Sequence, residues 1–396
     1  MTEHVPGAGG GAGGSGPGSG AGSRSDSASG GSCSDSGSGS GYRRSGGPGH
    51  GRERDHPRRR RGLPMPASTE GWLLVVIVVI CAALGLATDT FLTLVNVFDL
   101  LNISAINLIF AAGLLVVLVA GGIDISFAVG ASVVQYLTAL AVMSLLGGGS
   151  WVSGIAFAMA FGFLLGAFNA ALIHHFRIIS IVVTIATFNV FFGFLMFFTR
   201  GVSIYDLPDW WLDRVILFEY ETASGDFAEI TLPVVATVAV VLATWVLLRR
   251  LNVGRQLFAL GDNPEGARRI GVNIAAMHYL AYGWLGICAG IAGLMQAHYV
   301  QEVVPNALYG RELDVLAAVV LGGARLGGGR GTILGVILGV LLIAITQNGL
   351  NLLGISPYAF QMLIGVVLLA AITTTNVSWE ALLGRGGVMR RSRGRV

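Results

Sequence analysis

Long runs of apolar residues without a charged side chain occupy most of the chain after residue 70. A helix that crosses a bilayer needs roughly 20 apolar residues, so the longer runs hold two spans each. The pattern predicts ten crossings, at residues 71–88, 98–121, 127–147, 151–173, 178–199, 231–248, 276–299, 313–324, 331–351 and 357–376. The fold class that follows is an all-α membrane protein with about ten transmembrane helices.

One predicted segment, 313–324, is too short to cross a bilayer unbroken. A glycine pair at 322–323 ends it, and a glycine run at 327–329 follows it. We therefore expect a half-helix here, a kind of broken helix that membrane proteins tolerate where protein surrounds the backbone.

The arginines predict the orientation, because cytoplasmic loops carry an excess of basic residues. Arginines precede the first span at 58–61, occur throughout 249–269 and end the chain at 385–395. Segment 200–230 instead carries mostly acidic side chains. We therefore place both termini in the cytoplasm and assign segment 200–230 as a periplasmic loop.

The two ends of the chain differ from its middle. Residues 1–66 are rich in Gly, Ser and Arg and nearly free of apolar side chains, which predicts a disordered cytoplasmic tail. Residues 67–380 form the transmembrane domain, and residues 381–396 form a basic cytoplasmic tail. The arginines at 58–61 either bind anionic lipid headgroups or simply enforce the topology.

Composition agrees with a chain embedded in lipid and excludes one kind of chemistry. Hydrophobic residues make up 53%, charged residues 12%, and the mean hydropathy is +0.71. The sequence has no lysine, which a Walker A loop needs to reach nucleotide phosphates, so we expect no ATP hydrolysis by this chain. The scattered cysteines and the pair His174–His175 indicate no metal site. No catalytic residues and no nucleic-acid partner are expected.

A polar segment at 254–274 separates two long apolar spans. Asn263 is a good helix cap, Pro264 suits the first helical position, and Gly271 is the residue type that ends a helix. The segment thus predicts a two-turn helix, which is not stable alone in water. It is either a cytoplasmic docking site for a partner protein or an amphipathic loop that lies on the membrane.

Polar residues within the spans are candidates for a solute path, because hydrocarbon offers them no hydrogen bonds. Asp124 and Ser126 follow a glycine pair, where they either cap the next helix or contact a solute. Neutral amides suit an uncharged polyhydroxyl solute, and their alternative role is hydrogen bonding between helices. The candidates are Asp124, Ser126, Asn169, Asn189, Gln347, Asn348 and Asn351.

Glycines recur every four residues in several spans, at 162/166, 286/290 and 331/335/339. Each set lies on one face of its helix, where two backbones can approach closely. Helix packing is the favoured interpretation, and a solute path lined by small residues is the alternative.

Five motifs stand in order along the chain: GGIDIS at 121–126, ALGDNPEGARRIGVN at 259–273, ELD at 312–314 with AAVVLGG at 317–323, GGGRGT at 327–332, and NGLNLLGISP at 348–357. Together they resemble the permease subunits of bacterial ribose/xylose/arabinose-type ABC importers. The likeness covers about residues 73–374 and is strongest in the C-terminal half.

The resemblance implies a dimeric pore in the bacterial inner membrane, made with a second copy of this chain or a paralogue. It also implies a cytoplasmic ABC ATPase subunit, which would hold ATP and Mg²⁺, and a periplasmic solute-binding protein. This chain would bind no cofactor itself. The residues implied to form the coupling helix that contacts the ATPase are Gly261, Asp262, Asn263, Glu265, Ala267, Arg268 and Gly271.

The implied function is import of a monosaccharide or similar small polyhydroxyl solute by alternating access. A permease for branched-chain amino acids or another small polar metabolite would share the same architecture. An ion-coupled secondary transporter is disfavoured, because that class uses carboxylates at mid-membrane and Asp124 stands nearly alone.

Overall fold

The computed structural model describes residues 69–221, 225, 227–356, 358–362, 364–366 and 369. Its helices are α1 (Thr69–Ala87), α2 (Leu94–Val119), α3 (Phe127–Leu146), α4 (Trp151–Phe176), α5 (Ser180–Thr199), α6 (Asp209–Leu212), α7 (Leu232–Arg249), α8 (Asn252–Asp262), α9 (Pro264–Arg269), α10 (Ile274–Val300), α11 (Arg311–Leu321) and α12 (Ile333–Leu352). Strands β1 (Ile216–Glu221) and β2 (Phe227–Thr231) lie between α6 and α7. The predicted tails 1–66 and 381–396, and most of the predicted span 357–376, lie outside the described residues.

Eight of the described helices are long and apolar enough to cross a membrane, namely α1 to α5, α7, α10 and α12. They match eight predicted crossings, and the chain is a multi-pass membrane protein. Helix α2 begins at Leu94 rather than at residue 98, because the Thr93 side chain caps it there. Thr93 Oγ1 accepts from the Asn96 backbone amide at 3.3 Å. The predicted half-helix at 313–324 forms the 11-residue helix α11.

Helix α2 lies at the centre of the described bundle. It contacts α7, α10, α11 and α12. In its most apolar 18-residue stretch 83% of the residues are buried, whereas 11% are buried in the corresponding stretch of α1. Its sequence is apolar on every side, which is typical of a helix surrounded by other helices. Helix α1 instead exposes apolar side chains, so it lies at the periphery, where lipid or another subunit can cover it.

Helices α4 and α10 pack backbone to backbone at the predicted glycines. A methyl group added at Gly162 would overlap the carbonyl oxygen of Gly286, and one at Gly166 would overlap that of Tyr282. Glycine permits this approach because it carries no side chain. The packing interpretation is confirmed here, and the contact leaves no room for a solute between the two helices.

Helices α11 and α12 form a second glycine-mediated pair. Methyl groups added at Gly335 and Gly339 would overlap the carbonyl oxygens of Gly322 and Ala318. At the start of α12, the Thr332 side chain accepts from the Gly335 amide at 3.1 Å and caps the helix. The half-helix α11 is thus held along its length by a full span.

The acidic segment 200–230 has more structure than the predicted loop. Strands β1 and β2 form an antiparallel hairpin that pairs Glu219 with Glu229, an element that the all-α prediction missed. The short helix α6 carries Trp211, which is fully buried, and Trp210, whose Nε1 donates to the Gly148 carbonyl oxygen at 2.6 Å. These two indoles fix the segment to the ends of the neighbouring spans.

We predict that Gly162→Ala destabilises the protein, because its methyl group would overlap the α10 backbone and overpacking costs about 1–3 kcal/mol. The control is Gly193→Ala on α5, where an added methyl group meets no atom within 4 Å. Thermal unfolding of the detergent-purified variants measures the effect. Equal melting temperatures for the two variants would contradict the packing described here.

Candidate functional site

Three candidate residues meet in a buried polar cluster between α2, α3 and α4. Asp124 Oδ1 accepts from the Ser126 backbone amide and from Ser126 Oγ, both at 2.7 Å. Asn169 Nδ2, on α4, donates to Ser126 Oγ at 2.7 Å and to Asp124 Oδ2 at 3.3 Å. All three side chains are almost inaccessible. The cluster therefore joins the loop before α3 to the C-terminal half of α4.

The structure corrects one detail of the capping hypothesis for this loop. Ser126 occupies the cap position of α3, but its side chain makes no capping hydrogen bond. Its hydroxyl is already engaged by Asp124 and Asn169. Asp124 instead binds the Ser126 amide, an arrangement typical of an aspartate that shapes a turn.

The cavity beside this cluster is too small for a solute in this conformation. Its volume is about 20 Å³, close to that of a single water site, and Tyr282 of α10 also lines it. The Asp124 side chain is buried, and the hydrogen bonds from Ser126 and Asn169 engage both of its carboxyl oxygens. The geometry thus favours a supporting role for Asp124 over direct contact with a solute.

A second group of candidates lines a larger pocket near the end of α12. Gln347, Asn348 and Asn351 share this pocket of about 300 Å³ with Ser356 and Phe360. It combines neutral hydrogen-bonding groups with apolar and aromatic walls. That combination suits a small uncharged polar molecule.

Asn348 is held in this pocket by the start of α2. Its Nδ2 donates to Asn96 Oδ1 at 2.9 Å, which fixes the orientation of the amide. Its buried Oδ1 accepts no hydrogen bond from the described residues. Asn189 lies apart on α5, where it is exposed and donates to the Ile185 carbonyl oxygen of its own helix at 2.8 Å.

The polar segment 254–274 contains the predicted two-turn helix, α9. Asn263 Oδ1 accepts from the Gly266 amide at 2.9 Å, Pro264 begins the helix, and Gly271 follows its end with φ +86°. The predicted cap and stops are confirmed. The sequence interpretation missed α8, an amphipathic helix that buries Leu257 and Leu260 and leads directly into α9.

The coupling candidates divide into exposed and buried residues. Asp262, Asn263, Glu265, Arg268 and Gly271 are exposed. Gly261 and Ala267 are buried, and Gly261 packs against the end of α2. The buried pair can position the segment but offers no surface to a partner protein.

A glycine junction, formed by Gly121, Gly261, Gly328 and Gly329, fastens α8 to the spans. A methyl group added at Gly261 would overlap the Val119 carbonyl oxygen at the end of α2 and lie 3.1 Å from Gly328 Cα. The Gly329 amide donates to that same Val119 oxygen at 3.0 Å. Three chain segments, the end of α2, the end of α8 and the loop before α12, therefore meet through their backbones.

Comparison with known proteins defines the family. Residues 96–372 match the family described as branched-chain amino acid transport system / permease component. The chain belongs to this permease family. The expected resemblance to sugar-importer permeases is confirmed by the relatives described next.

The permease is 31% identical to the ribose import permease protein RbsC of Escherichia coli (strain K12), over 78% of this chain and 95% of that protein. It is 33% identical to RbsC of Bacillus subtilis (strain 168), over 76% of this chain and 89% of the relative. It is also 26% identical to the galactose/methyl galactoside import permease protein MglC of Salmonella typhimurium, over 78% and 95%. No solved structure matches the permease.

Sequence reasoning about the permease missed two features of its sites. Tyr282 lines the cavity beside Asp124, and its only signal in the sequence is a hydroxyl within an apolar span. The glycine junction was also missed, although all four of its glycines lie in the motifs that carry the resemblance. Spacing along one chain does not reveal that these ends of helices meet in space.

We predict that Asp124→Asn lowers the stability of the permease by about 1–3 kcal/mol. Both carboxylate oxygens of Asp124 accept hydrogen bonds, and in the variant an amide nitrogen would replace one of them and face a donor. The matched control is Asp206→Asn, at an exposed aspartate, which should change stability by less than about 0.5 kcal/mol. Thermal unfolding of both variants tests this. An Asp124→Asn variant as stable as the control but inactive in uptake would indicate a direct role in transport instead.

Proposed function

We propose that this permease is the membrane subunit of an ATP-driven importer for a monosaccharide or a similar small polyhydroxyl solute. It would act in the bacterial inner membrane by alternating access, with both termini in the cytoplasm. The observation that carries the proposal is the capped, exposed helix α9, fastened to the spans through the glycine junction.

A cytoplasmic ATPase is the partner that suits this segment. Asp262 and Asn263 are exposed just before α9, and α9 itself exposes Glu265 and Arg268. Together they form a polar surface on a helix too short to be stable alone. Because α8 joins the segment rigidly to α2 and α12, a push on α9 would reach the membrane helices. ATP and Mg²⁺ would reside on that partner, since this chain has no lysine for a Walker A loop.

The remaining partners follow from the same proposal. A solute-binding protein would deliver the solute to the side that carries the acidic hairpin. A second copy of this chain, or a paralogue, would complete the pore, and the exposed apolar face of α1 is available for lipid or for that subunit. Selectivity would reside mainly in the binding protein, so the passage needs no tight binding site.

The amide-lined pocket at Gln347, Asn348 and Asn351 supports an uncharged polyhydroxyl solute over an amino acid. An amino acid carries an ammonium and a carboxylate, and a passage for it would need charged partners or helix ends. The polar lining of the pocket consists of neutral amide and hydroxyl side chains. The names of the ribose and galactose relatives agree with this substrate class.

We predict that the double variant Asp262→Ala/Glu265→Ala binds its ATPase partner more weakly. Co-expression with the candidate ATPase and co-purification should show an association at least about fivefold weaker, which corresponds to about 1 kcal/mol. Uptake and ATP hydrolysis stimulated by the binding protein should fall in parallel. The control is Asp89→Ala, an exposed acid in the turn before α2, at the opposite ends of the spans.

Gln347→Leu serves as a second comparison in the same assay, because Gln347 lies in the pocket far along α12 from α9. It should lower uptake and leave the ATPase association unchanged. Wild-type association and uptake in the Asp262→Ala/Glu265→Ala variant would overturn the assignment of α9. Uptake that proceeds without ATP and stops when the ion gradient is collapsed would overturn the importer itself.

A further inference from the structure

An open basic cavity lies beside α9 and shares Arg268 with the coupling candidates described above. Its volume is about 670 Å³, and it is enclosed by the end of α4, the end of α9 and the first turns of α10. Its polar lining consists of His174, Arg177, Arg268, Asn273 and His278. We call these five residues the basic pocket. No acidic side chain lines it.

The two arginines of the basic pocket have no acidic partner in the part of the chain that the structure describes. The ion pair found there is Arg214 with Glu229, in the acidic segment. Arg177 ends α4 in a left-handed conformation, φ +53°, which places it beside the start of α10 rather than along α4. Two unpaired guanidinium groups at one cavity attract an anion, and phosphate matches their geometry.

The start of α10 adds further donors to the same cavity. Asn273 caps this helix by accepting from the Ala276 amide at 3.1 Å, and the first-turn residues Ile274 and Ala275 line the cavity. Backbone amides in a first helical turn lack partners within the helix, and the helix dipole favours an anion there. His278 Nδ1 is buried and has no hydrogen-bond partner among the described residues.

Exposed apolar side chains within two residues in sequence of those that line the basic pocket, which we call the apolar rim, indicate a lipid as the source of the anion. Phe176, Ile178, Ile179 and Ile270 are 61%, 44%, 72% and 75% exposed. Side chains of this type beside a membrane span are covered by acyl chains. A phosphate site that opens onto such a surface has the chemistry of a phospholipid headgroup site, and basic pockets between spans on the cytoplasmic side bind anionic headgroups.

We propose that the basic pocket binds the phosphate of an anionic membrane phospholipid. The headgroup would bridge Arg177 of α4 and Arg268 of α9, while its acyl chains cover the apolar rim. The inference goes beyond the importer function, because it concerns how the lipid surface holds α9 against α4. It does not depend on the identity of the solute.

The test measures lipid binding to the purified full-length chain, alone and with its ATPase partner. Native mass spectrometry follows titrations with dioleoylphosphatidylglycerol, dioleoylphosphatidylcholine and inorganic phosphate. Arg177→Gln should weaken phosphatidylglycerol binding about fivefold, the factor expected for one arginine at a membrane surface. Arg249→Gln removes a charge from an exposed arginine outside the pocket and should change binding less than twofold. His174→Gln provides a second pocket variant if Arg177→Gln does not fold.

Several results would overturn the proposal. Equal weakening by Arg177→Gln and Arg249→Gln would indicate a diffuse charge effect, and equal binding of phosphatidylcholine would exclude recognition of an anionic headgroup. Inorganic phosphate that binds as tightly as the lipid would make free phosphate the ligand. Lipid binding that disappears when the ATPase is present would assign the arginines to the protein contact.

Discussion

Contact between backbones at glycine residues is the constraint on which this structure depends. Lipid gives membrane helices little hydrophobic reason to associate, so close van der Waals packing must hold them together. Helices α4 and α10 meet at Gly162 and Gly286, and α11 meets α12 at Gly335. In each contact a single added methyl group would overlap a main-chain oxygen. The bundle is therefore rigid where these glycines lie, and movement must occur between the units that they define.

The glycine junction extends the same kind of contact from the spans to the polar segment. Gly261 at the end of α8 touches the end of α2, and Gly121 in that junction is followed within three residues by Asp124. Asp124 in turn binds Ser126 and Asn169. A continuous series of packed backbones and buried hydrogen bonds thus runs from α9 to the C-terminal half of α4. A force applied at α9 has a short physical route to the helices that would open and close.

Much of the fold could be predicted because it depends on local pattern. Apolar runs located the spans, and Asn263 and Gly271 located the ends of α9. Spacing of four residues identified the packing glycines of α4, α10 and α12, except Gly331, which lies before α12 begins at Ile333. What could not be predicted depends on contacts between distant segments. Asn169 meets Asp124 across 45 residues, and Asn348 meets Asn96 across 252. Nothing in the sequence pattern pairs these residues. The hairpin of β1 and β2 was missed because its acidic residues were interpreted only as indicating the side of the membrane on which the segment lies.

The most direct test of this account is uptake by the reconstituted importer that carries Gly261→Ala. The added methyl group would separate α8 from the end of α2 without touching the exposed face of α9. We expect ATPase association to persist while uptake falls roughly tenfold, the factor that corresponds to losing about 1.4 kcal/mol of coupling between α8 and α2. The control is Gly266→Ala in α9, where the methyl group meets the Asn263 side chain at 3.2 Å, outside the glycine junction. Wild-type uptake by a stably folded Gly261→Ala variant would contradict the claim that the glycine junction transmits force.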